Sequence, residues 1–154
     1  SALQLESVDL EKLSQQLSGY FEGMAQERGM RIETTAHGYL TAYNALVRRA
    51  LANLVANAIR YGQANTIVTL RCNTQTPKWL DIEVLNQGAA IGGEHLPRIF
   101  DRFYRCDASR SHPDDSGGLG LAIVHSIMLM HGGEVLVSSS TESTQFTLRF
   151  PRQV

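Results

Sequence analysis

Asn53, Asn57 and Arg60 stand four and three residues apart, and on a helix that spacing projects them within one narrow arc. Leu51, Leu54, Val55 and Ala58 fall on the opposite arc, which suits a core. Two amides and a guanidinium on one face can do specific chemistry. An amide oxygen suits a hard cation such as Mg²⁺, which prefers oxygen, keeps several waters and commonly touches one protein group together with phosphates. A guanidinium offers a planar fork to phosphate oxygens. Taken alone, two asparagines at this spacing more often merely cap a helix or face water, so the neighbouring motifs decide.

Three further groups follow in order. Asn86-Gln87-Gly88 closes an alternating segment, and a glycine there lets the backbone turn sharply and approach a ligand; by itself it is an ordinary strand-to-loop turn. Ile99-Phe100-Asp101-Arg102-Phe103 sets two phenylalanines around a charged pair, which reads as a core anchor for a loop. Ser116-Gly117-Gly118-Leu119-Gly120-Leu121 opens a helical pattern, so free amides and the helix dipole there favour an anion.

The elements that must hold these groups are legible from periodicity. Leu10, Leu13, Leu17, Tyr20, Phe21 and Met24 recur at steps of three and four, which predicts a helix with one buried stripe. Asp9 can cap it, Val8 can staple onto Leu13, and Gly29 stops it. Residues 31–35 and 39–42 flank His37-Gly38 as arms of a short hairpin. A second helix runs from about Asn44 to Tyr61. Residues 65–73 and 79–85 alternate as neighbouring antiparallel strands around a turn at Thr76-Pro77-Lys78. A short helical pattern covers 94–103, and the stretch from Cys106 to Gly118 is rich in Ser, Asp, Pro and Gly, as functional or mobile loops are. A third helix spans 119–130, Gly132-Gly133 ends it, and strands follow at 134–139 and 144–150. Without regular βαβ alternation this predicts α+β, with helices on one face of a mixed sheet.

The 154 residues, 43% of them hydrophobic, fit a single domain over 1–154 with one core. A formal net charge of −1 supplies no field to steer nucleic acid or anionic lipid. Cys72 and Cys106 lack metal or disulfide spacing and fit a reducing cytoplasm. No apolar run approaches the ~18 residues of a membrane span. The five histidines, His37, His95, His112, His125 and His131, form no close pair with ligand spacing, and read as structural or exposed.

Taken together and in this order, the four groups resemble the N, G1, F and G2 boxes of sensor histidine kinases, in the GHKL superfamily of ATPases, over nearly the whole chain. The wording from Glu94 to Arg105 together with Asn86 is most similar to the heavy-metal (copper or silver) sensor kinases. The resemblance implies a Bergerat fold: a two-layer α/β sandwich, its mixed and mostly antiparallel sheet packed by helices on one face, with a long ATP lid over 106–117. It implies ATP and Mg²⁺ as ligands. Asn57 would hold the Mg²⁺ with Asn53 close by, Arg60 would lie near the phosphates, and Tyr61 would border the nucleotide. Asn86 would accept from the adenine amine, with Gly88 and Ile91 in the same element. Arg105, Arg110, Gly117, Gly118, Leu119, Gly120 and Leu121 would surround the phosphates. The chain departs from the family pattern at Asn86 (usually Asp), Ala90 and Ser116 (usually Gly), and at Ser143 before Thr144 (usually Gly-Thr).

No histidine stands in a phosphoacceptor setting. The implied function is to bind Mg·ATP and donate its γ-phosphoryl group to a histidine on a separate dimerisation domain of a two-component kinase, in a copper-responsive system. The implied partners are that dimerisation domain and, indirectly, a response regulator, with no nucleic acid or membrane contact. The implied setting is the cytoplasmic side of a bacterial inner-membrane receptor whose sensor lies outside this chain. A nucleotide-binding regulatory module (a pseudokinase) and an anti-sigma-type serine kinase are the alternatives.

Overall fold

A computed structural model describes residues 3–88, 90–102, 104 and 117–152. Strand β1 (Glu6–Asp9) runs directly into helix α1 (Leu10–Glu27). The Asp9 carboxylate accepts from the Lys12 amide at 3.1 Å, which satisfies one of the donors a helix start leaves open. At the far end Gly29 takes φ +67. The Gly29 and Met30 amides then donate back to the Gln26 and Ala25 carbonyls at 2.9 Å each, a closure built on a left-handed residue. The buried stripe is Leu10, Leu13, Leu17, Phe21 and Ala25. Tyr20 and Met24, expected within it, are exposed at 81% and 43%. From Leu13 onward the stripe advances in four-residue steps, which rotate it away from positions three residues on.

The remaining elements are β2 (Arg31–Thr34), β3 (Tyr39–Ala42), α2 (Asn44–Tyr61), β4 (Ile67–Asn73), β5 (Trp79–Gln87), α3 (Gly117–Met130), β6 (Glu134–Ser139) and β7 (Ser143–Pro151). The expected hairpin of β2 and β3 does not form. β3 pairs antiparallel with β1, a strand that the sequence did not announce, while β2 pairs parallel with β4. Two four-residue arms around a glycine carry no register of their own, and tertiary partners claim each separately. The expected helix over 94–103 is also shorter. It is a 3-10 turn at Leu96–Arg98, flanked by amides bonding three residues back, from His95 to Gly92, Arg98 to His95 and Asp101 to Arg98 at 2.9 Å. Pro97 has no amide to continue a helical ladder.

The main sheet has the order β2-β4-β5-β7-β6, antiparallel throughout except at β2–β4. This is the mixed, mostly antiparallel α+β architecture that the sequence predicts. Its helix-facing side is laid out in rows. Leu80 pairs Phe150, Ile82 pairs Leu148 with Val135 on its far side, and Val84 pairs Phe146 with Val137 on its far side. These rows join Leu13, Leu17, Leu51, Leu54 and Ile59 of the helices in one core. The other side carries Asp81, Glu83, Arg71 and Arg149, paired with one another. Among the described residues no helix is long and apolar enough to cross a membrane.

Candidate functional site

The fourth row of the inner sheet face breaks the apolar pattern. Asn86 stands beside Thr144, and Thr144 beside Ser139, at positions whose parity points to the helices. Asn86 is 8% exposed and Thr144 4%. The Ser139 and Thr144 hydroxyls bond at 2.8 Å, and the Ile91 amide donates to Ser139 Oγ at 2.8 Å. The chain after Gly88 therefore folds back across this polar row. Ser139 and Thr144 escaped the sequence reading as site residues. The signal that could have found them is a hydroxyl at an inward strand position, where alternation calls for an apolar side chain.

Above this row lies the C-terminal end of α2. Its last carbonyls, which a helix leaves without internal donors, are taken by Arg28 of the α1 cap. The Arg28 guanidinium donates to the Ile59 carbonyl, to Arg60 O at 3.1 Å and to Gly62 O at 2.8 Å. A cation there also complements the helix dipole. The turn at Gly88 is fastened on two sides: Gln63 N, just past α2, donates to Gln87 O at 2.7 Å, and Gly88 N donates to Glu142 O of the β6–β7 turn at 3.0 Å. Gly88 has φ +156, and a Cβ on it would stand 3.3 Å from Gln63 N and 3.4 Å from Tyr61 O. This glycine is required by close backbone approach. On Gly62 a Cβ would stand 3.4 Å from the Asn86 Cβ, so Asn86 abuts the end of α2. A polar cleft of about 590 Å³, lined by Gln63, Gln87, Gly88, Thr141, Glu142 and Ser143, opens on the β6–β7 turn side and includes none of the asparagines.

Asn57 is 8% exposed, yet its amide has no hydrogen-bond partner among the described residues. Asn86 has only one long contact, from Nδ2 to Gln87 O at 3.4 Å. An amide buried without a partner costs about 1–3 kcal/mol, so Asn57, with Asn86 only loosely held, marks a place where a ligand can complete them. Asn53, half-buried, faces Gly120 in the first turn of α3: a Cβ on Gly120 would lie 3.7 Å from Asn53 Cγ. The asparagine arc of α2 thus meets a helix N-terminus, bringing oxygen donors that suit a hard cation beside amides that suit an anion. Arg60 and Tyr61 are exposed at the outer end of the arc. Ile91 packs partly buried against the core, while Leu121 is a core residue, 7% exposed.

Arg105 and Arg110, and the expected lid over 106–117 up to Gly117, lie outside the described residues. Among those described, no group of three His, Cys, Asp or Glu could hold a metal. His131 is structural: its Nδ1 bonds to Ile127 O at 2.8 Å and its Nε2 accepts from Tyr43 N at 3.1 Å, joining the end of α3 to the start of α2. Phe100, expected as a loop anchor, packs against the core, its ring edge-on to Phe146 with centroids 6.2 Å apart.

The family model described as histidine kinase-, DNA gyrase B- and HSP90-like ATPase matches residues 42–154. The sensor histidine kinase CusS of Escherichia coli K12 is 41% identical over 133 residues, covering 86% of this chain and 28% of its own length. The sensor protein CzcS of Cupriavidus metallidurans is 40% identical over 151 residues, 97% of this chain and 32% of its own. The chain spans about a third or less of the length of these curated relatives. Among solved structures, the catalytic domain of histidine kinase ThkA superposes with a TM-score of 0.82 at 22% identity, covering 97% of this chain and 96% of that one, a likeness of fold.

Proposed function

The chain belongs to the histidine kinase-, DNA gyrase B- and HSP90-like ATPase family, and on that premise we propose that it is the single catalytic domain of a two-component sensor kinase, binding Mg·ATP and donating the γ-phosphoryl group to a histidine on a separate dimerisation domain. The observation that carries this is Asn57: a buried amide without a partner among the described residues, on the arc that meets the first turn of α3. Its oxygen fits Mg²⁺, and Asn53 lies one turn away on the same face. Held there by Asn57, Mg²⁺ would supply charge neutralisation at the phosphates.

The residues of this chain then divide the work of positioning. Asn86, backed by Thr144 and Ser139, reads the base, with Gly88 and Ile91 shaping the pocket and Tyr61 bordering the nucleotide. The amides opening α3, from Gly117, Gly118 and Leu119 to Gly120 and Leu121, together with Arg60, Arg105 and Arg110, hold the phosphates. Phosphoryl transfer asks chiefly for alignment and electrostatic stabilisation, and a neutral imidazole on the acceptor domain attacks without a base from this chain. The partners are that acceptor domain and, through it, a response regulator, on the cytoplasmic side of a membrane receptor. A heavy-metal-responsive system is supported by the wording from Glu94 to Arg105 and by the likeness to CusS and CzcS.

The test is transfer in trans. The chain is incubated with γ-labelled ATP, alone and with the dimerisation domain of its own receptor. Acid-labile label is expected on the added domain only, and weakly, because untethering removes effective concentration. Label on the isolated chain, or acid-stable label on the partner, would overturn the assignment.

A further inference from the structure

Every side chain in the polar row that faces the proposed base pocket can either donate or accept a hydrogen bond. Asn86 presents an amide with an acceptor oxygen and a donor nitrogen, which exchange places by rotation about one bond. Its only polar contact among the described residues, Nδ2 to Gln87 O at 3.4 Å, lies beyond the usual range for such bonds and does not fix the orientation. Thr144, its cross-strand neighbour, bonds to Ser139 at 2.8 Å through hydroxyls either of which can be the donor. Ser139 already accepts from Ile91 N and retains a second lone pair and its own proton. The row can therefore invert its polarity as a unit, with no charged group within it to forbid one of the two settings.

We infer that this row makes the site tolerant of the purine C6 substituent, so that 6-oxopurine nucleoside triphosphates bind about as well as the 6-amino nucleotide. The inference rests on the assignment of Asn86 to the base. With the amide oxygen forward, Asn86 accepts from a 6-amino group and Thr144 can donate towards N1. With the amide turned, Asn86 donates to a 6-oxo group and Thr144 accepts from N1–H. A carboxylate in place of Asn86 could only accept, and would set two lone-pair groups face to face against a 6-oxo base.

The experiment is calorimetric titration of the whole chain with Mg·ATP and Mg·ITP, which differ only at C6 and N1, repeated on Asn86→Asp with its melting temperature recorded. In the native chain, the ITP dissociation constant is expected within about threefold of that for ATP. In Asn86→Asp, ATP binding is retained or tightened while ITP weakens more than tenfold, roughly the loss for opposing a buried acceptor to another acceptor. ITP binding more than thirtyfold weaker than ATP in the native chain would overturn the inference and leave the kinase assignment standing. So would a folded Asn86→Asp chain that binds both nucleotides alike. Failure of the native chain to bind either nucleotide would remove the underlying assignment, and this inference with it.

Discussion

Asp81 and Asn86 lie on the same strand, both 8% exposed, on opposite faces of the sheet. On the outer face, Asp81 takes two bonds from Arg149, at 3.0 and 2.9 Å, and Glu83, 6% exposed, takes one from Arg71 at 2.6 Å. Hydrogen bonding to Asp81 pushes the Arg149 guanidinium above its ordinary value, against some loss of hydration. Because that shift is upward, its contribution is complete below the unfolded arginine's own range and is lost only in strong alkali. On the helix side, Asn57 of α2 and Asn86 are buried as deeply, but among the described residues Asn57 has no hydrogen-bond partner and Asn86 only one long contact, to Gln87 O at 3.4 Å. Equal burial therefore goes with opposite bonding: Asp81 and Glu83 are answered by guanidinium groups, while Asn57 lacks a partner among the described residues and is a group that a ligand could complete.

Breaking each side in turn separates the roles. The largest effect is expected from Asn57→Ala, which should lower autophosphorylation of the full receptor by more than about a hundredfold, in line with loss of a group that orients charge on the reacting phosphate. Its melting temperature should not fall, since the amide removed has no described partner to lose. Next comes Asp81→Ala. It leaves a partly exposed guanidinium without its acceptor and should destabilise the chain by about 1–3 kcal/mol in urea unfolding, with the ATP dissociation constant unchanged. Asn86→Ala should weaken ATP by roughly 0.5–3 kcal/mol on titration, the range for one such hydrogen bond. Smallest is Thr144→Val, which keeps the shape and removes the hydroxyl; about 0.5–1.5 kcal/mol of ATP affinity should go with it. Nucleotide affinity that follows Asp81→Ala as strongly as Asn86→Ala would erase the distinction between the two faces.

The same contrast explains what could be read from the sequence. Helix α2, the β4–β5 pair and the β6–β7 pair carry continuous periodicity, so their residues declare both element and face. The asparagine arc and the Gly88 turn stood out by residue type and spacing, but each alone fitted a bland reading, and only the four motifs in order raised the expectation of a site; the structure sets Asn53 beside Gly120 and Gly88 against the end of α2. Arg28, Ser139 and Thr144 are single polar residues far along the chain from Asn57. Only the α1 cap and the strand register bring them to the site, and neither is encoded locally. The β2–β3 hairpin failed for a related reason: two short arms contain no information about which distant strand will outbid the neighbour. Tyr20 and Met24 misled because a stripe stepping by four residues drifts, and a list of apolar positions does not show the drift.

Whether the side of the molecule that carries Asn57 and Asn86 binds the ligand can be read from one titration. ATP is added to the native chain and to Asn57→Ala, each with and without Mg²⁺, and melting temperatures are recorded alongside. Mg²⁺ is expected to strengthen ATP binding to the native chain, and Asn57→Ala to melt at the same temperature but lose this gain. A folded Asn57→Ala chain that keeps the full Mg²⁺-dependent affinity would contradict this expectation.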